Sequence, residues 1–174
     1  RVILAMTSPD STASPSLKRH ASGRGVLYLD GRNPAGGDGL HVRHRISNTH
    51  PSRILEAVIA PDPASGRRYD WSCLISNNDA PFKGGNMELR MLTGTRRAML
   101  ASRDAEGFYE QFGSTAPEPI PTDGRFTHVA GVYDAGAQAL YLYVNGEPVG
   151  SQFDFDLHPC PCEPLRAIGI SNGY

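Results

Sequence analysis

A chain of 174 residues, 39% hydrophobic and 20% charged, is long enough to bury about 70% of its unfolded surface in a single domain without disulfide or metal staples. Its formal net charge of −1 excludes the basic field by which nucleic-acid and anionic-membrane binders attract their partners. No apolar stretch approaches the roughly 20 residues of a membrane-spanning helix, so membrane insertion by a helix is not expected.

Taken in chain order, the sequence reads as short apolar runs separated by turn clusters. Residues 1–6 (RVILAM) form a short apolar run suited to a first strand, and 7–16 are a Ser/Pro/Thr-rich loop. Residues 26–29 make a strand closed by Asp30-Gly31, and a second glycine-rich turn at 36–39 contains Asp38. Residues 40–46 alternate Leu40 and Val42 against His41 and Arg43, and 54–60 (ILEAVIA) run into the Pro61-Asp62-Pro63 breaker. Residues 69–76, with Trp71, Leu74 and Ile75, have strand composition. A hairpin is predicted for 87–92 and 98–102 around Thr93-Gly94, a short strand for 107–113, and a Pro-rich connection for 115–124.

The stretch 126–150 is the most informative. Two alternating apolar runs are joined by an Asp-Ala-Gly turn, and Asn145-Gly146 then opens a third short run. Asn-Gly is the preferred two-residue hairpin turn because both positions need positive φ. Alternation places Leu140, Leu142 and Val144 on one face and Tyr141 and Tyr143 on the other. No segment sustains a 3.6-residue period. Ten or more short strands without helix predict an all-β, two-sheet antiparallel β-sandwich of the jelly-roll type.

Phe126, His128, Val129, Ala130, Tyr133, Asp134 and the run from Leu142 to Gly146 together resemble the late meander of laminin-G-like, concanavalin A-like jelly-roll domains. Tyr28 to Gly31, residues 54–61 and residues 167–170 match weaker family segments in the same order. Phe126 stands where the family usually carries Trp. The resemblance implies one domain over 1–174, a lectin-like or glucanase-like fold, and a structural calcium near the early Asp-Gly turn, for which Asp30 and Asp38 are the candidates. Hard cations take oxygen ligands from such loops, and the same aspartates would serve equally as turn formers.

Chemistry is sparse. Retaining glycoside hydrolysis needs two carboxyl groups about 5 Å apart, and no strand carries an even-spaced Glu/Asp run; Glu56 and Glu88 could converge only from different strands. The six histidines fit no zinc spacing. Of Cys73, Cys160 and Cys162, two pair as a disulfide or all three stay reduced. Sugar recognition stacks aromatic faces and bonds hydroxyls with planar polar groups; Trp71, Tyr69, Arg90, Tyr109, Tyr141 and Asn77 are the candidates.

The expected function is a non-catalytic carbohydrate-recognition module of a secreted or cell-surface protein, with glycan as partner. An adhesion or spacer module and a hydrolase or lyase are the alternatives. Residues 167–170 read as a strand with no partner in sequence beyond Tyr174. An open apolar edge is normally paired or covered, so the chain is expected to be one portion of a longer polypeptide whose other domains are further partners.

Overall fold

The computed structural model describes residues 16–19, 25–28, 39–43, 52–61, 71–76, 87–92, 94–102, 115–154 and 167–171, with side chains at 52–61, 74, 87–92, 94–101 and 115–154. These residues form strands and no helix. In chain order the strands are β1 (Ser16–Arg19), β2 (Gly25–Tyr28), β3 (Gly39–Arg43), β4 (Arg53–Ile59), β5 (Trp71–Ser76) and β6 (Met87–Leu92). They continue with β7 (Arg97–Ser102), β8 (Thr115–Pro119), β9 (Thr127–Asp134), β10 (Ala139–Val144), β11 (Glu147–Gln152) and β12 (Ala167–Ser171). A four-stranded sheet, β11-β10-β9-β4, faces a six-stranded sheet, β3-β12-β5-β6-β7-β8, and all pairings are antiparallel. The two-sheet all-β sandwich expected from the turn spacing is the fold.

The meander forms as its turn residues dictate. Asn145 and Gly146 both lie in the left-handed region, at φ 52° and 85°. Asn145 also ties its hairpin to β9. Its side-chain Oδ1 accepts from the His128 N–H at 2.9 Å, and its own N–H donates to the His128 carbonyl at 2.8 Å. At the other end, Asp134 Oδ1 accepts from the N–H groups of Gly136 (2.9 Å) and Ala137 (3.3 Å). That bond pattern is how aspartate closes a turn without help from a neighbouring strand.

Two expectations are corrected. The Pro-rich segment 115–124 is not simply a connection, because Thr115–Pro119 is β8, paired with β7 at the end of the six-stranded sheet. Proline cannot donate to a ladder but is tolerated on an edge strand, so Pro117 and Pro119 mark the sheet edge. Residues 167–171 are not an open edge either. β12 lies between β3 and β5, with Ile168 opposite Val42, Ile170 opposite Leu40, Gly169 opposite Ser76 and Ser171 opposite Cys73. The argument for a further strand beside β12 falls with this. β1 was not anticipated; it pairs with β2 as a separate hairpin. The proposed strands at 1–6 and 107–113 lie outside the described residues.

The core fills the space between the sheets. Leu55, Val129, Tyr133, Leu140 and Leu142 come from one sheet, and Met87, Leu89, Ala98, Leu100 and Ala116 from the other, with Ile120 just beyond β8. Leu89, Leu100, Leu140 and Leu142 are fully buried, and each contributes about 1.5–3 kcal/mol relative to an exposed side chain. β10 lies over β7 and β8, and β4 over β5 and β6.

Gly131 sets the spacing of the two layers at the centre. It pairs with Leu55 on one side and Leu142 on the other, all three facing inward. A methyl group added there would meet Leu100 Cδ1 at 2.5 Å, with Cδ2 and Cγ at 3.2 and 3.3 Å. Leu100 is fully buried and has no free space to retreat into. Gly131→Ala is therefore expected to lower stability by about 1–3 kcal/mol through overpacking, measured by urea unfolding. In a Leu100→Ala background the same substitution should cost much less; equal costs in the two backgrounds would contradict the close approach.

Candidate functional site

The four-stranded sheet turns one face to the core and the other to solvent. Strand alternation and register assign the outward positions: Ile54, Glu56 and Val58 on β4; His128, Ala130 and Val132 on β9; Tyr141 and Tyr143 on β10. They form rows across the sheet. Ile54 pairs with Val132 and Val132 with Tyr141; Glu56 pairs with Ala130 and Ala130 with Tyr143. Phe153, just past β11, packs on Tyr141 with ring centroids 6.1 Å apart and planes at 87°. This face is unusually apolar for a surface. Ile54 is 66% exposed, Val58 62% and Phe153 60%, and contiguous apolar patches of this kind mark interaction sites.

The face is also shaped. Ala130 is buried between two larger neighbours in its row, Tyr143 and Glu56. Ala130, the smallest outward side chain of β9, thus lies at the bottom of a shallow trough. Aromatic rings of β10 and Phe153 wall one side, and the β4 side chains wall the other. At one end His128 Nε2 stands 3.3 Å from Glu56 Oε2, bridging β9 to β4. In the segment before β9, Arg125 and Asp123 form an exposed ion pair at 2.6 Å. The Arg125 N–H accepted by Asp123, reinforced by its guanidinium, holds that carboxyl below its ordinary range despite the opposing effect of desolvation.

The six-stranded sheet is different: both faces of β6 and β7 are buried. Met87 and Leu89 point into the core, whereas Glu88 and Arg90 occupy the opposite face at 3% and 2% exposure, with Met99 and Ala101 buried beside them. Arg90 donates from Nε and Nη2 to the same Glu88 oxygen, at 2.8 and 2.6 Å. A buried charge is tolerated only when paired and hydrogen-bonded, and these i, i+2 positions on one strand supply that pair locally.

The sequence-derived candidates scatter over both sheets. Tyr141 lies on the outward aromatic face. Arg90 lies on the far side of the sandwich, in the buried pair with Glu88. In the ladder Cys73 is opposite Arg90 and Trp71 opposite Leu92, which puts Trp71 in the row next to Arg90. Tyr69, Asn77, Tyr109, Asp30, Asp38, Cys160 and Cys162 lie outside the described residues. Among the described residues no group of three or more His, Cys, Asp or Glu gathers as for a metal. Glu56 and Glu88 sit on the outer faces of opposite sheets, and sheets pack about 10 Å apart. They cannot form the close carboxyl pair that retaining hydrolysis requires.

Phe153 and Tyr143 were missed as partners of Tyr141. Alternation did signal Tyr143, which shares a face with Tyr141. Nothing local signalled Phe153, because its contact depends on the fold-back of β11 onto β10.

The fold and its surfaces can be set beside known proteins. The family model described as the concanavalin A-like lectin/glucanases superfamily matches residues 55–172. No curated protein matches the chain. Among solved structures, domain 4 of an extracellular GH43 arabinanase from Geobacillus stearothermophilus, in complex with arabinotriose, is similar. The identity is 14% and the TM-score 0.58, over 95% of this chain and 73% of that one. The NanB sialidase of Streptococcus pneumoniae is similar at 17% identity and TM-score 0.51, over 70% of this chain and 19% of that one. The CBM40 of a Ruminococcus gnavus IT-sialidase, bound to α2,3-sialyllactose, is similar at 12% identity and TM-score 0.48, over 68% of this chain and 70% of that one. At such identities the likeness is one of fold.

The buried pair yields a prediction independent of ligand. Removing one partner leaves an uncompensated buried charge, so Arg90→Met alone should cost about 3–5 kcal/mol. Adding Glu88→Leu should recover much of that loss. A double variant no more stable than Arg90→Met in chemical denaturation would show that the two groups are not coupled.

Proposed function

We infer that this chain, which belongs to the concanavalin A-like lectin/glucanases superfamily, is a non-catalytic carbohydrate-recognition module. The observation that carries the reading is the outward aromatic set of Tyr141, Tyr143 and Phe153 above the shallow floor of β9. Sugar rings present C–H faces to aromatic side chains and hydroxyls to polar neighbours. Here His128 on the adjacent strand β9 and Glu56 on β4, one strand farther, supply donor and acceptor groups. The arabinanase domain of the same fold is in complex with arabinotriose, which supports the reading. The separation of Glu56 from Glu88 on opposite outer faces speaks against a hydrolase built on that pair. An apolar face of this kind suits a spacer poorly.

The same reading places the protein outside the cell or on its surface, where polysaccharides are met, and makes other domains of a longer polypeptide its natural partners. It extends to calcium at the Asp30 and Asp38 turns, the position implied by the family resemblance.

Glycan-array binding with and without a chelator is the direct test. Tyr141→Ala and Phe153→Ala should each abolish array binding. Phe153 is exposed, so its variant should stay within about 0.5 kcal/mol of the parent stability. Retained binding in both variants would remove this face from the proposal, and capture of a protein with no glycan bound would favour an adhesion module. If calcium is held, chelation should lower the melting temperature, because a ligand bound only to the folded state stabilises by mass action. An unchanged melt would leave Asp30 and Asp38 as turn formers.

A further inference from the structure

We propose that the ligand of the outward β10–β9–β4 face is an uncharged, single glycan chain, as opposed to an acidic glycan or the flat surface of a crystalline polysaccharide. The proposal rests on the carbohydrate-binding reading above and narrows it to a ligand class.

Shape gives the first half. The Tyr141 and Phe153 planes stand at 87° to one another with centroids 6.1 Å apart. Two rings so disposed form a corner. They cannot both lie flat beneath an extended sheet of parallel sugar chains, which needs coplanar rings. A corner instead receives one pyranose or furanose, with one ring against its C–H face and the other against its edge. Tyr143, two residues along β10, lies about 7 Å farther on, over the next unit of the same chain. The trough above Ala130 and Val132 is bounded by Glu56 and Ile54 across β9, which holds a single chain and excludes a second beside it.

Charge gives the second half. None of the described outward residues of β10, β9 and β4 is Lys or Arg, and Glu56, 69% exposed and 3.3 Å from His128, presents a carboxylate among them. Glu56 shares a row with Tyr143 and lies two strands away, about 10 Å. That exceeds the Debye length of about 8 Å at physiological salt, so repulsion from Glu56 acts chiefly on ligand carboxylates that reach across the trough toward it. Hydroxyls, by contrast, donate to a carboxylate in charge-assisted hydrogen bonds, which are stronger than those between neutral groups. Glu56 therefore selects for hydroxyl donors and against anions. On the opposite sheet Arg90 is buried and paired with Glu88, so it lends no positive field here.

The experiment compares matched ligands on the full chain. The probes are lactose against sialyllactose, arabinotriose and cellohexaose as soluble neutral chains, an array of neutral and acidic glycans, and microcrystalline cellulose as a flat surface. The expected result is binding confined to soluble neutral glycans. Glu56→Gln should weaken it about tenfold, and Glu56→Lys should shift the preference within each matched pair toward the acidic member. Preferential binding of acidic glycans that Tyr141→Ala removes would overturn this proposal while leaving the carbohydrate-binding reading intact. Retention on microcrystalline cellulose that Phe153→Ala removes would do the same. Absence of binding to any glycan would overturn both. Binding indifferent to Glu56→Gln and Glu56→Lys would overturn the assignment of charge selection to Glu56.

Discussion

The close approach of the two sheets at Gly131 is the constraint on which the rest of the molecule depends. Interiors pack at crystal-like density, and here the absence of one Cβ lets Leu100 settle into the middle of the opposite sheet. Around that contact Leu55, Leu142, Leu89 and Val129 interdigitate. The inward parity of β4, β9 and β10 is thereby set, because a one-residue slip of any strand would turn its apolar set outward. Once parity is set, the outward set follows without choice: Ile54, Glu56, Val58, Ala130, Val132, Tyr141 and Tyr143. The outward face is, in this sense, the reverse side of the core.

The two sheets use their non-core faces differently. On the six-stranded sheet that face is buried at Glu88, Arg90, Met99 and Ala101, and Glu88 and Arg90 pair there within a single strand. Pairing at i, i+2 is economical, since both groups arrive on the same face with the strand itself. On the four-stranded sheet the outer face stays open at Ile54, Val58 and Phe153. Exposed β-branched and aromatic side chains add only modest cross-strand pairing to the sheet, and gathered on one face they invite association, so their presence has to be understood through what they meet.

The outward face also shows how a flat sheet acquires relief. A pleated surface has no depth of its own; height comes from side-chain size. Ala130 on β9, between Tyr143 on β10 and Glu56 on β4, produces a trough, and Phe153 standing at a right angle to Tyr141 produces a corner. Asn145 matters to this geometry at a distance. By bonding His128 from its side chain and backbone, it pins the end of β9 against the β10–β11 turn, and His128 in turn reaches Glu56 on β4.

Local chemistry determined much of this protein from the sequence alone. The Asn145-Gly146 and Asp134-Gly136 turns carry their own backbone demands, so the meander was legible residue by residue, including the split of Leu140 and Leu142 from Tyr141 and Tyr143. The strands read at 54–60, 87–92 and 98–102 fall within one residue of β4, β6 and β7 for the same reason, since period-two alternation and turn residues are short-range signals. Tertiary structure alone decided what depends on partners distant in sequence. β12 became an interior strand because β3 and β5, far upstream, both accept it. The Pro-rich segment became β8 because an edge asks only half of its backbone to bond. Arg90 joined Glu88 on a buried face, Phe153 met Tyr141, and Glu56 and Glu88 parted to opposite sides of the sandwich. In each case the deciding quantity was which face meets which, and a two-residue period leaves that open until the sheets pack.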